Sequence, residues 1–300
     1  MLNPKYLIVG ASGYLGRSLH NILGKENVVA TFRTQPIQGA IHFDAYHDQL
    51  KTKILNNNKG IQVAYLLFGE TKIDVCAEQR TEANNINIIA YKRAIDDLIE
   101  AGIKPIFASS DAVYDGSHGD WRETDPTNPI LTYGKQKVAI EQYLKDRCEN
   151  SVIVRLAKLI GQDLNSKNML YQWVRQTEQR QIIRCANDTN FSPIDVEDAA
   201  QSLIQIAEGN NSGIFNVGGI DNISRISLLN SLISELQKAI DIKFNIIECS
   251  IRDFNFLEPR PLNLAMNSNK LIKAINFRSK GVREICSRFV GNYVNTFPRK

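Results

Sequence analysis

The sequence predicts an α/β protein built on a doubly wound parallel sheet, with a smaller mixed α/β lobe. Three observations carry this. Near-continuous apolar runs alternate with helical segments through the first half. A glycine-rich stretch sits at the first strand-to-helix junction, and the alternation loosens after Gly161. Strands that are apolar throughout, rather than at every second residue, belong to a sheet covered on both faces. In chain order, Tyr6–Val9 reads as the first strand, followed by glycines and an amphipathic stretch to about Leu23. Val28–Phe32 is a second strand and Ala40–Phe43 a short third. Val63–Phe68 follows, then a polar helical segment through Ile99 and the strand Lys104–Ala108. After a helix around Tyr133, Ser151–Leu156 completes the regular part. Beyond it, helices are expected near Ser166–Gln179, Asp195–Glu208, Ser224–Ala239 and Gly281–Arg288. Short strands are expected near Ile182, Ile214–Val217 and Phe244–Glu248. No internal repeat is present.

Composition narrows the function. The 300 residues are 23% charged and 43% hydrophobic, as expected of a globular protein with a real core. The net charge of +4 comes from dispersed basic residues with no Lys/Arg block, so a nucleic-acid partner is disfavoured. Cys76, Cys148, Cys185, Cys249 and Cys286 are unclustered, which fits free thiols in a reducing compartment better than disulfides or zinc. No apolar run reaches 18 residues and no long apolar leader opens the chain, so the expectation is a cytoplasmic protein without a membrane span. His20, His42, His47 and His118 show no ligand spacing, and no metal site is expected.

The glycine stretch YLIVGASGYLG has Gly10, Gly13 and Gly16 at G-x-x-G-x-x-G spacing, between a strand and a helix. Such glycines allow a tight turn, close backbone approach to a pyrophosphate, and close helix–sheet packing. The helix N-terminus then presents free N–H groups to the phosphates. This is the Rossmann-type arrangement, and it makes Gly10, Ser12, Gly13, Tyr14, Leu15 and Gly16 the cofactor-binding turn; a glycine-rich turn without a ligand is the alternative. After the second strand the chain reads Thr31-Phe32-Arg33-Thr34, with no acid to accept from a ribose 2′-hydroxyl. An arginine there suits a 2′-phosphate, so NADP(H) is favoured and NAD(H) is possible.

In TYGKQKV, Tyr133 and Lys137 stand four apart, on one face of a helix. A neighbouring ammonium lowers a phenol's pKa and makes it a better proton donor. Tyr133 is the only tyrosine with lysine at i+4; Tyr143 and Tyr171 have arginine there. A solvated surface pair is the alternative.

Taken together, the glycine turn, FASSDAVYDG at Phe107–Gly116 and YGKQK at Tyr133–Lys137 resemble the extended short-chain dehydrogenase/reductases over nearly the whole chain. Within them the chain is most similar to the dTDP-4-dehydrorhamnose reductase family, which acts on nucleotide-linked 4-keto sugars. RETDPTNPILTYGKQK, FSPIDVEDAA and EPRPLNLAMNSNKL are similar to that family's segments in the same order. The resemblance implies a dinucleotide-binding domain over 1–160, and over 161–300 mainly a substrate-binding lobe with segments returning to the first domain. It implies Tyr133 as general acid, with Lys137 lowering its pKa and holding the nicotinamide ribose. Ser110 is then the donor to the substrate carbonyl oxygen, where charge grows as hydride arrives. Asp111 lies beside the substrate, Asp44 near the adenine, and Phe68 and Gly69 form a wall at the nicotinamide. A homodimer is possible by resemblance only.

Other residues are read on their own chemistry. In EPRPLN, Pro259 and Pro261 stiffen the chain around Arg260, whose guanidinium suits bidentate phosphate contact. An ion pair with Glu258 is its alternative. Trp121 and Trp173 are candidates for stacking on a base or sugar, although Trp173 lies in an apolar helical stripe. Three departures from the family pattern bear on the substrate: Phe68-Gly69-Glu70-Thr71 where the family has Ala-Ala-Tyr-Thr, Ala112 in place of a tyrosine, and AMNSNKL without the family's acid. Family dehydratases have an acid after the active-site Asp. Ala112 removes that base and argues against elimination. The expectation is an NADP(H)-preferring reductase of a nucleotide-linked 4-keto-6-deoxy sugar. A nucleotide-sugar epimerase with tightly bound NAD and a non-catalytic NADP-binding regulatory subunit are the rivals.

Overall fold

Seven parallel strands form the central sheet of the computed structural model, which describes residues 5–164, 168–209 and 211–297. β1 (Tyr6–Val9) leads through α1 (Tyr14–Leu23) to β2 (Val28–Phe32), β3 (Ile41–His42) and β4 (Val63–Leu66). The expected polar helix after β4 is broken into α2 (Ile73–Glu78), α3 (Arg80–Asn84), a π-helical stretch Asn85–Ala90, and α4 (Tyr91–Glu100). The break falls at Gln79, whose φ of −106° and ψ of 58° are not helical. β5 (Lys104–Ser110), α5 (Thr132–Arg147) and β6 (Val152–Leu156) follow.

The later half is β7 (Leu159–Ile160), α6 (Met169–Glu178), β8 (Ile183–Ala186), β9 (Asn190–Phe191), β10 (Ile194–Asp195), α7 (Val196–Glu208) and β11 (Gly213–Val217). Then come β12 (Ile223–Ser224), α8 (Arg225–Ala239), β13 (Ile246–Cys249), α9 (Asn269–Ile275) and α10 (Val282–Thr296). The expected helix start at Ser166 lies outside the described residues, and α10 runs eight residues past the predicted Arg288.

The sheet order is β11-β6-β5-β4-β1-β2-β3, which reverses direction between β1 and β4. Ligand crevices in open parallel sheets lie at that reversal, beyond the strand C-termini. Alternate residues serve opposite faces: Tyr6 and Ile8 pack with Leu15 and Leu19 of α1 and Leu203 of α7. Leu7 and Val9 pack with Ile95 of α4 and Ile140 of α5. A third core gathers Trp173, Ile183, Leu232 and Phe289 around α6, α8 and α10. β11 and α7 come from the second half yet belong to the central sheet and its covering layer.

Between α5 and the sheet lies an ion pair with almost no solvent exposure, Arg155 Nη2 to Glu141 Oε2 at 2.7 Å. Ser109 Oγ donates to Glu141 Oε1 at 2.5 Å, and Arg155 Nη1 donates to the Tyr114 hydroxyl at 2.8 Å. Removing one partner strands a desolvated charge. Arg155→Met is therefore expected to cost about 3–5 kcal/mol in urea unfolding, and the Glu141→Leu/Arg155→Met double variant clearly less. A single variant within about 1 kcal/mol of the native protein would contradict this reading.

Candidate active site

The first βα turn closes as the glycine spacing requires. A Cβ on Gly16 would sit 2.3 Å from the Gly10 carbonyl oxygen, so α1 comes this close to the turn only because residue 16 is glycine. Ala11 N donates to Thr31 O at 2.8 Å, which ties the turn to the end of β2. No side chain caps the N-terminus of α1. Tyr14 differs from the other turn residues: burial and the nearby Asp163 carboxyl push its phenol well above its ordinary value.

Arg33 is exposed just past β2, with its Nε 3.8 Å from Asp44 Oδ1. Asp44 itself accepts from Tyr46 N at 3.0 Å, so it shapes the loop as well as meeting the arginine. A second guanidinium borders this rim. Arg17, in the first turn of α1, donates to Ser12 O at 3.1 Å and to Gln35 Oε1 at 2.8 Å. The sequence reading looked for a basic residue only after the second strand and so passed over Arg17, which directly follows the third glycine.

The Tyr133 phenol, the Ser110 hydroxyl and the Lys137 ammonium meet where β5 ends. Ser110 is the last residue of β5, and its Oγ donates to Asp111 Oδ1 at 2.9 Å. Tyr133 stands in the first turn of α5, half-buried, with the Ser110 hydroxyl beside its phenol. Lys137, one turn on, is buried and donates to Ala108 O at 2.8 Å. Its Nζ lies 4.8 Å from the Phe107 ring centroid, 5.2 Å from that of Tyr91 and 5.5 Å from that of Tyr133. The close approach of α5 to β5 rests on Gly134, where a Cβ would lie 2.1 Å from Ala112 O.

The electrostatics differ from the sequence expectation. Burial, then the carboxyl of Asp111, push the Tyr133 phenol well above its ordinary value, and the Ser110 hydroxyl opposes this in part. The expected net lowering does not occur: the Lys137 ammonium, which faces the Ala108 carbonyl and aromatic rings, is itself pushed down to about 8 by burial. Desolvation therefore outweighs the cation–phenol attraction. Burial also raises the Asp111 carboxyl to about 6.

The wall after β4 is held by a buried amide. Phe68 stacks on Tyr91 with centroids 4.0 Å apart, and the Tyr91 hydroxyl donates to Phe68 O. Asn87, on the π-helical stretch, accepts from Glu70 N at 2.9 Å and donates to Glu70 O at 2.9 Å. It also donates to Gln136 Oε1 of α5 at 2.7 Å, joining the Gly69–Glu70 loop to the tyrosine-bearing helix.

Arg260 is engaged within the protein, and not with Glu258's carboxylate. Its Nη2 pairs with Asp74 Oδ1 at 2.7 Å and its guanidinium lies 4.2 Å from the Phe256 centroid. Glu258 instead accepts from Thr132 N at 3.1 Å and from Thr132 Oγ1 at 2.7 Å, capping the start of α5. Trp121 is buried, stacked on Tyr114 with centroids 4.6 Å apart and donating to Asn263 O, so it is core. Trp173 is buried in the third core.

A glycine turn opening onto the C-terminal edge of a parallel sheet, with serine, tyrosine and lysine converging two strands away, defines an extended short-chain dehydrogenase/reductase. The RmlD substrate binding domain model matches residues 4–295. The dTDP-4-dehydrorhamnose reductase of Aggregatibacter actinomycetemcomitans is 28% identical over 291 residues, 91% of this chain and 94% of that protein. The methionine adenosyltransferase 2 subunit beta of Xenopus tropicalis is 24% identical, over 89% of this chain and 81% of its own. Among solved structures, the dTDP-4-dehydrorhamnose reductase of Bacillus anthracis in complex with NADP superposes with a TM-score of 0.85 at 22% identity, covering 96% of this chain and 99% of its own. The chain belongs to the RmlD substrate-binding-domain family. No helix among the described residues is long and apolar enough to cross a membrane.

Lys137 gives a pH test. Its folded pKa of about 8 lies below the ordinary 10.5, so between those values the unfolded chain binds more protons than the native one. The buried ammonium thus costs stability below pH 8, and the cost is relieved as pH rises towards 10.5. Relative to Lys137→Met, the native protein is expected to gain up to about 3 kcal/mol between pH 7.5 and 10.5 in denaturant titrations. A pH-independent difference would contradict the assignment.

Proposed function

We propose that the protein is an NADP(H)-preferring reductase of a nucleotide-linked 4-keto sugar, with the 6-deoxy sugars as the class that the family resemblance implies. The observation carrying this is the convergence of Tyr133, Ser110 and Lys137 beside the glycine turn. The turn fits a dinucleotide: glycine at residue 16 lets α1 pack directly against the turn, and the N-terminus of α1 lacks a side-chain cap. Arg33 and Arg17 would hold the 2′-phosphate, Asp44 would border the adenine side, and Phe68 and Gly69 would wall the nicotinamide. Bound NADPH supplies the hydride.

The rest falls to the protein. Ser110 and Tyr133 flank one spot where a carbonyl oxygen receives two hydrogen bonds, and Tyr133 gives up its proton as charge develops there. Burial keeps that phenol protonated at every working pH, the form that a reduction needs. Lys137 holds the ribose and balances the phenolate left behind. In this reading the segment around Arg260 closes over the diphosphate, and Asp74 gives way as the phosphates arrive. Residues 1–160 serve the dinucleotide and most of 161–300 the sugar. Ala112, which leaves no carboxylate after Asp111, argues against dehydration.

A second reading, a regulatory subunit that binds NADP(H) without turnover, is favoured by the similarity to methionine adenosyltransferase 2 subunit beta. One assay separates the two. Purified protein is expected to oxidise NADPH stoichiometrically with a dTDP-4-keto-6-deoxy sugar. Arg33→Ala is expected to raise KM for NADPH about tenfold and leave that for NADH nearly unchanged. Tight NADPH binding with no oxidation by any nucleotide 4-keto sugar would select the regulatory subunit instead.

A further inference from the structure

Tyr133 stands in a helical turn that its own sequence holds poorly. Leu131, the N-cap of α5, makes no side-chain cap hydrogen bond. Gly134, needed for the approach to the turn after β5, is of the residue type that favours helix least after proline. The first N–H of α5 without a partner inside the helix belongs to Thr132, directly before the phenol-bearing residue. Glu258 supplies the missing cap across 126 positions. Thr132 N lies 3.1 Å from both of its carboxylate oxygens, and Thr132 Oγ1 donates to Oε1 at 2.7 Å. A carboxylate also suits the positive end of a helix. These contacts fix the backbone and the side chain of residue 132, and so the direction in which the chain enters the turn carrying Tyr133.

Glu258 is in turn held from both sides. Residues 254–262 form neither helix nor strand, so side chains must fix their path. Asp74 of α2 accepts at the same oxygen, Oδ1, from Leu257 N at 3.4 Å and from Arg260 Nη2 at 2.7 Å. Arg260 Nη1 turns back and donates to the Glu258 carbonyl at 3.3 Å. On the other side, Pro261 packs on Gly116, where an added Cβ would lie 2.5 Å from the proline Cβ. A continuous line of contacts therefore runs from α2 through Arg260 and Glu258 to the residue adjoining Tyr133.

We propose that Glu258 is a positioning residue of the reaction: through the cap of α5 it aims the Tyr133 hydroxyl at the ketone, and Arg260 keeps it in place. The inference rests on the reductase reading and deepens it, because the segment assigned to the diphosphate also sets the general acid. When the phosphates take the place of Asp74 on Arg260, the anchor of that segment passes from the protein to the ligand. The nucleotide half of the substrate then steadies the acid that serves its sugar half, so binding at a distance from the reacting carbon is expressed in the rate.

Single-turnover oxidation of NADPH by a dTDP-4-keto-6-deoxy sugar tests it, read beside NADPH affinity and hydrogen exchange. At saturating substrate Glu258→Ala is expected to slow hydride transfer at least about tenfold, the scale of a misplaced catalytic group, with NADPH affinity within about twofold of native. Its faster hydrogen exchange is expected to be confined to the first turn of α5. Glu258→Gln, whose amide oxygen still accepts from Thr132, is expected to recover the rate to within about threefold of native. If Glu258→Ala does not fold, Thr132→Val, which removes only the hydroxyl donor, is expected to slow the same step about threefold. A native rate in the variant measured would overturn the proposal. So would equal losses in Glu258→Ala and Glu258→Gln, which would assign the effect to charge and not to the cap. A native protein that binds NADPH but oxidises none with any nucleotide 4-keto sugar would instead defeat the reductase reading, and the positioning role with it.

Discussion

The site depends on how closely α5 approaches the turn after β5. Any side chain at residue 134 would strike the Ala112 carbonyl, so glycine there sets the distance between the helix bearing Tyr133 and the strand ending in Ser110. The approach is then pinned from three sides. Lys137 reaches down to the Ala108 carbonyl, Glu258 caps the helix at Thr132, and Gln136 is bound by Asn87 from the opposite wall. The Glu258 contact comes from 126 residues away, so the segment carrying Arg260 also steadies the tyrosine. A change in how that segment lies would reach the phenol through the helix cap.

Loss of water governs the charges in the crevice. It holds the phenol protonated, draws the ammonium down to about 8 and lifts the Asp111 carboxyl to about 6. Each shift favours the neutral form, as expected where little water reaches the groups. A site of this kind interacts strongly with any charge that enters it, whether a developing oxyanion or an ionised substituent on the ligand.

Much of this was legible in the sequence because it is local. The apolar runs gave β1, β2, β4, β5 and β6 to within a residue or two, and the glycine spacing placed the first turn. Tyr133, Lys137 and Ser110 come together as their motifs implied. What sequence reading lost is non-local. Arg260 finds Asp74 across 186 positions, and no spacing rule reports that. Trp121 disappears into the core because Tyr114 and Asn263 meet it there. The phenol's acidity was misjudged for a related reason: the i, i+4 rule sets Lys137 near Tyr133 but is silent on how much protein surrounds both. The broken helix after β4 was missed because its unwinding at Gln79 leaves no proline or glycine signal.

The central claim is that one phenol, kept protonated by burial, delivers its proton to a ketone held beside bound nicotinamide. Single-turnover stopped-flow oxidation of NADPH by a nucleotide 4-keto sugar, comparing the native protein with Tyr133→Phe, tests it most directly. The account predicts unchanged NADPH binding and a hydride-transfer rate lower by at least about 100-fold in the variant. A rate within about threefold of the native value would contradict it, since general-acid catalysis contributes far more than that.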